Sequence, residues 1–183
     1  MLNIPNTLTL LRVLLIPGFV IFLMGRHYGW ALVLFVTAGV TDGIDGLIAR
    51  ITHQRTKLGA YLDPTADKLL LTSAFVALAI LKIIPSWLAV IVITRDVIIS
   101  LGFFLLFLLD RRPEIKPTTF SKINTVIQVL TIAIALYSKI EASFSSLLVA
   151  LIWAAAGTTV LSGLHYIYLG ARMTNGTASN ARR

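Results

Sequence analysis

Cysteine is absent from this sequence of 183 residues, and charged side chains are few. The absence of cysteine excludes disulfides, thiolate metal sites and a catalytic thiol, although it does not identify a redox compartment. Only 13% of the residues are charged, whereas 57% are hydrophobic, and many of these form long apolar runs. A soluble domain of this size would not carry so many such runs, so the chain is predicted to be an all-α integral membrane protein.

Acidic residues are half as frequent as basic ones, and the formal net charge is +8. Such a charge is compatible with nucleic-acid binding. In a membrane protein, however, it is more typical of loops that lie beside anionic lipid headgroups. We therefore predict membrane lipids, and not a nucleic acid, as the partner of this basic surface.

Six apolar segments approach the ~20 residues that a helix needs to cross a bilayer. They cover residues 8–25, 29–49, 67–84, 87–109, 122–138 and 146–170. These segments predict one six-helix transmembrane domain over residues 1–173, followed by a polar, flexible cytoplasmic tail over residues 174–183.

The basic residues are divided unequally between the two sets of connections. Ten lie in the set that includes the 50–66 loop and both chain ends, and three lie in the other set. The positive-inside rule therefore predicts that the 50–66 loop faces the cytoplasm. The N-terminus shows neither a signal peptide nor a transit peptide, which favours a bacterial plasma membrane over a mitochondrial inner membrane.

Four of the eight acidic residues lie close together between the second and third apolar segments. Asp42 and Asp45 are three residues apart near the end of the second segment, and Asp63 and Asp67 are four apart where the third begins. Residues three or four apart share one helix face. Because the loop between the pairs returns the chain to the same membrane surface, the two pairs are predicted to converge.

Converging carboxylates repel one another unless cations compensate their charge. Mg²⁺ or Mn²⁺ suits oxygen ligands that meet phosphates, and two such ions ~3.5–4 Å apart activate an attacking oxygen and stabilise a leaving phosphate. Gly46 and Ala49 lie on the arc of the first pair and permit close approach, and Arg50 offers a planar fork for a diphosphate. Single acidic pairs and small residues more often serve solvation and packing, but the whole combination would rarely arise by chance.

The pattern Asp42-x2-Asp45-Gly46-x2-Ala49-Arg50-x8-Gly59-x3-Asp63-x3-Asp67 resembles the complete signature of the CDP-alcohol phosphotransferases. The resemblance implies a six-helix membrane fold, usually dimeric, and transfer of a phosphoalcohol group from a CDP-linked donor to an acceptor hydroxyl with release of CMP. It implies a pair of metal ions held by Asp42, Asp45, Asp63 and Asp67, with Asp67 also the general base. It implies that the CDP group is held by Gly46, Arg50 and Gly59.

Two further segments, Asn3–Thr9 with Arg12 and Leu62–Lys68, resemble the glycerophospholipid branches of that family. These branches include the phosphatidylglycerophosphate synthases and the CDP-alcohol type of cardiolipin synthase. Both use CDP-diacylglycerol as donor, and they differ in the acceptor, which is glycerol 3-phosphate in the first and phosphatidylglycerol in the second.

The second half of the chain bears on the acceptor. Arg95 lies beside Asp96 inside the fourth segment, which indicates a functional site by default, with a structural ion pair as the alternative. The region after Lys116 resembles the cardiolipin synthase type, because Asn124 stands where phosphatidylglycerophosphate synthases typically carry a second lysine. A dianionic soluble acceptor would favour two cations, so phosphatidylglycerol is the leading prediction and glycerol 3-phosphate the alternative. The predicted acceptor-binding residues are Arg95, Arg111, Lys116, Lys122 and Asn124.

Two alternatives lie outside this class of enzyme. Acidic residues line the pathways of divalent-cation transporters, but the acids here cluster at one surface and the other four segments contribute only Asp96. A non-catalytic membrane scaffold would leave the four clustered acids unexplained. The sequence therefore favours the enzyme.

Overall fold

The computed structural model describes residues 4–51, 57–108 and 119–180, and it places the side chains of residues 11–41, 65–102 and 120–168. The described residues form six α-helices and one short 3-10 helix, and no strand occurs among them. The helices are α1 (Ile4–Met24), α2 (Tyr28–Ile51), α3 (Lys57–Ile80), α4 (Ser86–Leu108), α5 (Thr119–Tyr137) and α6 (Ser145–Asn180), with the 3-10 helix at Ala142–Phe144. The all-α prediction is confirmed for this part of the chain.

The helices pack as a bundle in which α1 contacts both α2 and α3. Both of these helices also contact α5, while α4 contacts α3 and α6, and α6 packs along α5. Large side chains such as Phe19, Phe75 and Leu136 fill the core and are fully buried. Alanines alternate with them at buried positions on several helices, for example Ala31 and Ala74. Small residues of this kind let helix backbones approach closely, as they do in membrane bundles.

All six helices also turn large apolar side chains outward. The exposed fraction reaches 73% for Leu14 on α1, 69% for Ile21 on the same helix and 67% for Trp153 on α6. An apolar surface of this extent is unusual for a soluble monomer and is typical of a membrane or interaction surface. A membrane is the environment in which a bundle with this outer surface would be stable.

Two helices qualify as membrane spans by length and composition within the described residues, namely Phe120–Tyr137 and Ala142–Tyr168. Shorter apolar stretches occur in α1 (Leu11–Met24) and α2 (Tyr28–Thr41). The core helix of a soluble protein passes the same test. The count of six spans therefore stays a prediction.

The two ends of the bundle differ in the way that the helices are joined. The site end holds the start of α1, the end of α2 and the start of α3, and the far end holds the turns at residues 25–27, 81–85 and 138–141. Two cations at the far end, Arg26 and Lys82, have left-handed backbones with φ of 60° and 55°. In both turns the N–H of the cation donates to a carbonyl three residues earlier at 3.0 Å, and the next N–H donates to one five residues before itself at 2.9 Å. This is a Schellman closure, in which glycine is usual at the left-handed position.

The last helix is longer than a bilayer is thick. α6 has 36 residues, which is ~54 Å at the rise of an α-helix, whereas a hydrocarbon core measures ~30 Å. The helix continues through Asn180, past residue 174, where the sequence predicts the start of a flexible tail. The prediction of one domain over residues 1–173 stays a prediction.

Candidate active site

The four signature aspartates lie on two helices that only five residues separate. Asp42 and Asp45 belong to the last turns of α2, and Asp63 and Asp67 belong to the first turns of α3. Measured along the helices, Asp42 and Asp67 lie ~14 and ~15 Å from the site-end termini of α2 and α3, and Asp45 and Asp63 both lie ~9 Å from them. The two pairs therefore lie at similar distances from the ends of their helices, and their convergence stays a prediction.

Most of the signature side chains lie outside the part of the chain whose side chains the structure places. This holds for Asp42, Asp45, Gly46, Arg50, Gly59 and Asp63, whose helix positions alone are described. Their predicted roles as metal ligands and CDP-binding residues stay predictions. Asp67 is described in full.

Asp67 is held by an arginine of the first helix. Nη1 of Arg12 donates to Oδ1 of Asp67 at 2.7 Å, across the contact between α1 and α3. The Arg12 side chain is fully buried, whereas that of Asp67 is 41% exposed. The sequence relates Arg12 to a branch of the resembled family and does not predict this pairing. One sequence feature does mark Arg12 as a functional candidate. It is the only charged residue in α1, and an ionisable residue inside an apolar helix is a candidate for function.

A groove begins beside Asp67 and runs between α2, α3 and α5. Its volume is about 330 Å³, and Asp67 and Thr125 are its polar lining residues. The rest of the wall is apolar, with Phe35 and Val36 from α2, Leu70 and Leu71 from α3, and Val129 and Ala133 from α5 among its members. We call this cavity the Asp67 groove. A carboxylate at one end and hydrocarbon along the remainder suit an amphipathic ligand with a polar head and an apolar chain.

Arg95 lies at a junction of three helices. It is 8% exposed, and its Nη1 donates to Asp96 Oδ1 at 2.8 Å. Nη2 donates to the hydroxyl of Ser121 on α5 at 2.9 Å and to that of Ser162 on α6 at 2.6 Å. The guanidinium also lies 5.8 Å from the centre of the Tyr166 ring. The structural ion pair named as an alternative is therefore present, and it is part of a larger helix junction.

Asn124 lies one turn further along α5 and is fully buried. Its Oδ1 accepts hydrogen bonds from the hydroxyls of Thr158 at 3.0 Å and Thr159 at 2.9 Å. Within the part of the chain that the structure describes, Nδ2 of Asn124 and Nε of Arg95 are buried N–H groups without a hydrogen-bond partner. Buried donors are nearly always paired in proteins, so these two are places for a ligand or an ordered water.

A second groove of about 240 Å³ runs between α4 and α6 beside Arg95. Its polar lining residues are Thr94, Arg95 and Thr159, and the others are apolar or glycine. We call it the Arg95 groove. Of the other predicted acceptor residues, Lys122 is exposed near the start of α5, whereas Arg111 and Lys116 lie outside the described residues.

Lys68 connects the surroundings of Asp67 with those of Arg95. Its Nζ lies 3.6 Å from Asp96 Oδ1 and donates to the Ser100 hydroxyl at 3.4 Å, both on α4. Asp96 is in turn the ion-pair partner of Arg95. Lys68, which follows Asp67 in the chain, is thus joined through Asp96 to Arg95.

The sequence profile of the CDP-alcohol phosphatidyltransferases matches residues 2–161. The chain belongs to the CDP-alcohol phosphatidyltransferase family. The match includes the four aspartates, Arg12, Arg95 and Asn124, and it ends one residue before Ser162. The family resemblance drawn from the signature is confirmed.

Relatives of this phosphatidyltransferase carry two different names. A probable phosphatidylglycerophosphate synthase of Mycobacterium tuberculosis is 33% identical over 186 residues, which cover 98% of this chain and 87% of that protein. The human cardiolipin synthase (CMP-forming) is 32% identical over 187 residues, with 93% of this chain and 62% of that protein covered. A probable cardiolipin synthase (CMP-forming) of Drosophila melanogaster is 35% identical, with 91% and 57% covered. Because the identities are alike, the names do not decide between the two acceptors.

The predicted metal ligands of this family member are of a chemical type that suits a hard divalent cation. All four predicted ligands are carboxylates, which are the ligands that Mg²⁺ and Mn²⁺ prefer. The half-exposed Asp67 carboxylate faces the groove that would admit a ligand. No cluster of three or more His, Cys, Asp or Glu occurs among the residues whose side chains are placed, and three of the four predicted ligands lie outside them. Metal binding therefore stays a prediction.

Proposed function

We propose that the protein is a membrane phosphatidyltransferase that moves the phosphatidyl group of CDP-diacylglycerol to a glycerol-type acceptor and releases CMP. The observation that carries the proposal is the complete acidic signature on the end of α2 and the start of α3, with Asp67 lining an apolar groove. The family assignment and the names of the relatives support the same reaction. The product belongs to glycerophospholipid biosynthesis.

The metal ligands in this proposal are Asp42, Asp45, Asp63 and Asp67. Two Mg²⁺ or Mn²⁺ ions bound there would neutralise the diphosphate and ease its departure. Arg50, with Gly46 and Gly59, holds the CDP group. Asp67 accepts the proton of the acceptor hydroxyl, because a hydroxyl is a weak nucleophile until a base assists it. The acceptor oxygen then bonds to the phosphorus that carries diacylglycerol, and the bond from that phosphorus to CMP breaks.

The Asp67 groove is proposed to hold an acyl chain of CDP-diacylglycerol. Its wall is mostly apolar and includes Asp67, so an acyl chain lying in it would bring the phosphates close to that carboxylate. Apolar contacts along the chain supply binding energy away from the reacting phosphorus.

The leading acceptor is phosphatidylglycerol, which would make the enzyme a cardiolipin synthase. The Arg95 groove supports a lipid acceptor, because a cation and two hydroxyls lie within an otherwise apolar wall. The unpaired donors Nε of Arg95 and Nδ2 of Asn124 are suited to a phosphate, with Lys122, Arg111 and Lys116 adding charge nearer the surface. The alternative acceptor is glycerol 3-phosphate, which the name of the mycobacterial relative favours.

The proposed protein has six membrane-spanning helices with the site end toward the cytoplasm of a bacterial plasma membrane. The apolar outer surface of all six helices and the unequal distribution of basic residues support this arrangement. A homodimer is proposed from the family resemblance. The distant alternative is a divalent-cation transporter that uses the same acidic residues.

An acceptor-competition assay tests the function. Purified protein is supplied with Mg²⁺ and CDP-diacylglycerol, and then with phosphatidylglycerol, glycerol 3-phosphate or both. We expect CMP and cardiolipin with phosphatidylglycerol. CMP that appears only with glycerol 3-phosphate replaces the leading acceptor by the alternative. Metal flux into liposomes without any release of CMP would establish the transporter and reject the enzyme.

A further inference from the structure

Arg12 is buried in the apolar helix α1, where burying a charged side chain costs free energy. It is the only charged residue of α1, and its side chain has no exposed surface. A buried guanidinium is tolerated when a fixed anion compensates it, and here that anion is Asp67 at 2.7 Å. The contact joins residues 55 positions apart in the chain, so it depends on the packing of α1 against α3.

The two partners differ in what they can reach. Asp67 is 41% exposed and lines the groove, whereas Arg12 has no surface that a substrate or a metal ion could touch. A direct role for Arg12 in holding the donor phosphates is therefore excluded by its burial. Arg12 therefore acts on a substrate indirectly, and the Asp67 carboxylate that it holds is a group through which it can act.

The guanidinium of Arg12 can affect both the orientation and the charge balance of the Asp67 carboxylate. The planar guanidinium presents its N–H groups in fixed directions, so a short bond to Oδ1 restricts the rotation of the whole carboxylate. It also places a permanent positive charge beside a group that is predicted to hold a divalent cation. A lysine would keep the charge and lose the fixed direction, and a glutamine would keep much of the volume and lose the charge.

We propose that Arg12 is the positioning residue of the site, which orients the Asp67 carboxylate toward the groove and balances its charge until a divalent cation competes for it. The proposal rests on the proposed function, because it gives Asp67 a role in transfer. It assigns a task to the first helix, which carries none of the acidic signature.

The first experiment separates positioning from binding. In Arg12→Gln we expect kcat to fall about 100-fold, since a small displacement of a catalytic group has an effect of that size. The KM for CDP-diacylglycerol should stay within about twofold of the wild type, because Arg12 does not touch the donor. Arg12→Lys should recover part of the loss in kcat. An effect confined to KM, or a kcat within about threefold of the wild type in Arg12→Gln, overturns the proposal.

The second experiment measures Mn²⁺ binding by electron paramagnetic resonance and needs no turnover. Arg12→Gln removes the cation that competes with the metal, so we expect Mn²⁺ to bind several-fold more tightly although kcat is lower. A purely structural role would weaken Mn²⁺ binding together with kcat. Unchanged or weaker binding in Arg12→Gln overturns the proposal. Should that variant not fold, Arg12→Lys takes its place, with Mn²⁺ affinity within about twofold of the wild type and kcat reduced about tenfold.

Lys139→Gln is the matched control, because it also removes one positive charge but lies exposed at the far end. It should leave kcat and Mn²⁺ affinity unchanged. If the wild type releases no CMP with any acceptor, the proposed function fails. The Mn²⁺ titrations of Arg12→Gln and Lys139→Gln still decide whether Arg12 competes with a metal at Asp67.

Discussion

Asp67 is the residue at which the two halves of the proposed chemistry meet. One of its oxygens receives a short hydrogen bond from a buried arginine, and its side chain lines the groove proposed for the donor. A general base has to be held in one direction and still be reached by the substrate. The combination of a buried partner and an exposed carboxylate meets both conditions.

Asp67→Asn should abolish transfer while leaving CDP-diacylglycerol able to bind. The amide cannot accept the hydroxyl proton, and loss of a general base lowers kcat by about 10²–10⁴-fold. CMP release measures turnover, and a binding assay with labelled donor measures affinity. Turnover near the wild-type rate would remove Asp67 from the role of base.

This substitution has a second effect that the assay has to separate. Asparagine takes an anion away from the buried Arg12 guanidinium. Breaking a fully buried pair destabilises a protein by about 3–5 kcal/mol, and the cost here is smaller because Asp67 is 41% exposed. The double variant Arg12→Gln/Asp67→Asn removes both charges and should recover part of that stability without recovering turnover. A thermal unfolding midpoint of the double variant below that of Asp67→Asn would contradict the pairing.

At the scale of the elements, the Asp67 groove is formed where α5 lies across α2 and α3. Gly39 of α2 lines it, and a Cβ placed there would meet nothing within 4 Å. A larger side chain at this position would therefore occupy the groove without disturbing the helix packing. That makes the groove testable by a single substitution.

Gly39→Leu should raise the KM for long-chain CDP-diacylglycerol about tenfold or more, because the leucine takes the place of apolar contacts worth ~1.4 kcal/mol. A donor with short acyl chains should be affected much less. Gly157→Leu is the control, since Gly157 is exposed on α6, has the same open surroundings and lies outside this groove. Equal loss with long and short chains would place the acyl chain elsewhere.

The far-end turns store strain at two positions that are occupied by cations. Lys82→Gly should stabilise the protein by about 0.5–1 kcal/mol, since a non-glycine residue in the left-handed region costs about 1–2 kcal/mol and the lost cation at a helix C-terminus offsets part of the gain. Unfolding in detergent measures the change. Lys139→Gly lacks this benefit, because among the described residues the left-handed non-glycine positions are Arg26 and Lys82. A stabilisation of the same size in Lys139→Gly would reject this explanation.

The helices could be predicted from apolar runs, and their ends could not. The third segment was expected over residues 67–84, whereas α3 spans Lys57–Ile80. Hydropathy marks the part of a helix that suits hydrocarbon, and the polar turns that carry Asp63 and Asp67 are helical without being apolar. The same reason explains why α6 extends past the apolar run to Asn180.

Part of the candidate site could likewise be predicted from the sequence, and part could not. The acidic signature could be read from spacing, because residues three or four apart share a helix face wherever the helix lies. The pairing of Arg12 with Asp67, and that of Arg95 with Ser121 and Ser162, join different helices. Such pairings depend on the packing of the bundle, and local sequence patterns do not contain that information.

At the scale of the whole molecule, polar contacts between side chains that the structure places connect five of the six helices. Arg12 and Asp67 join α1 to α3, Lys68 and Asp96 join α3 to α4, and Arg95 joins α4 to α5 and α6. In hydrocarbon, such contacts help to hold helices whose apolar faces gain little by leaving lipid. Residues proposed to carry out the reaction are therefore also among those that hold the helices together.

The proposed orientation can be measured without background labelling, because the chain has no cysteine of its own. Two variants, each with a single cysteine in place of Lys139 or Thr174, are treated with a membrane-impermeant maleimide in intact cells. We expect Lys139→Cys to be labelled from outside the cell, and Thr174→Cys to be labelled only after the membrane is opened. The reverse pattern would place the site end outside the cell.

The distance in sequence between Arg12 and Asp67 also has a consequence for biosynthesis. The partner of Arg12 lies 55 residues further on, which is about 3–11 s of translation. In the proposed six-span arrangement, α1 would be made before Asp67, and an arginine near the centre of a span disfavours transfer into the bilayer by about 2.5–3.5 kcal/mol. In that arrangement the counter-charge from α3 would reach the first helix only after two further helices have been made.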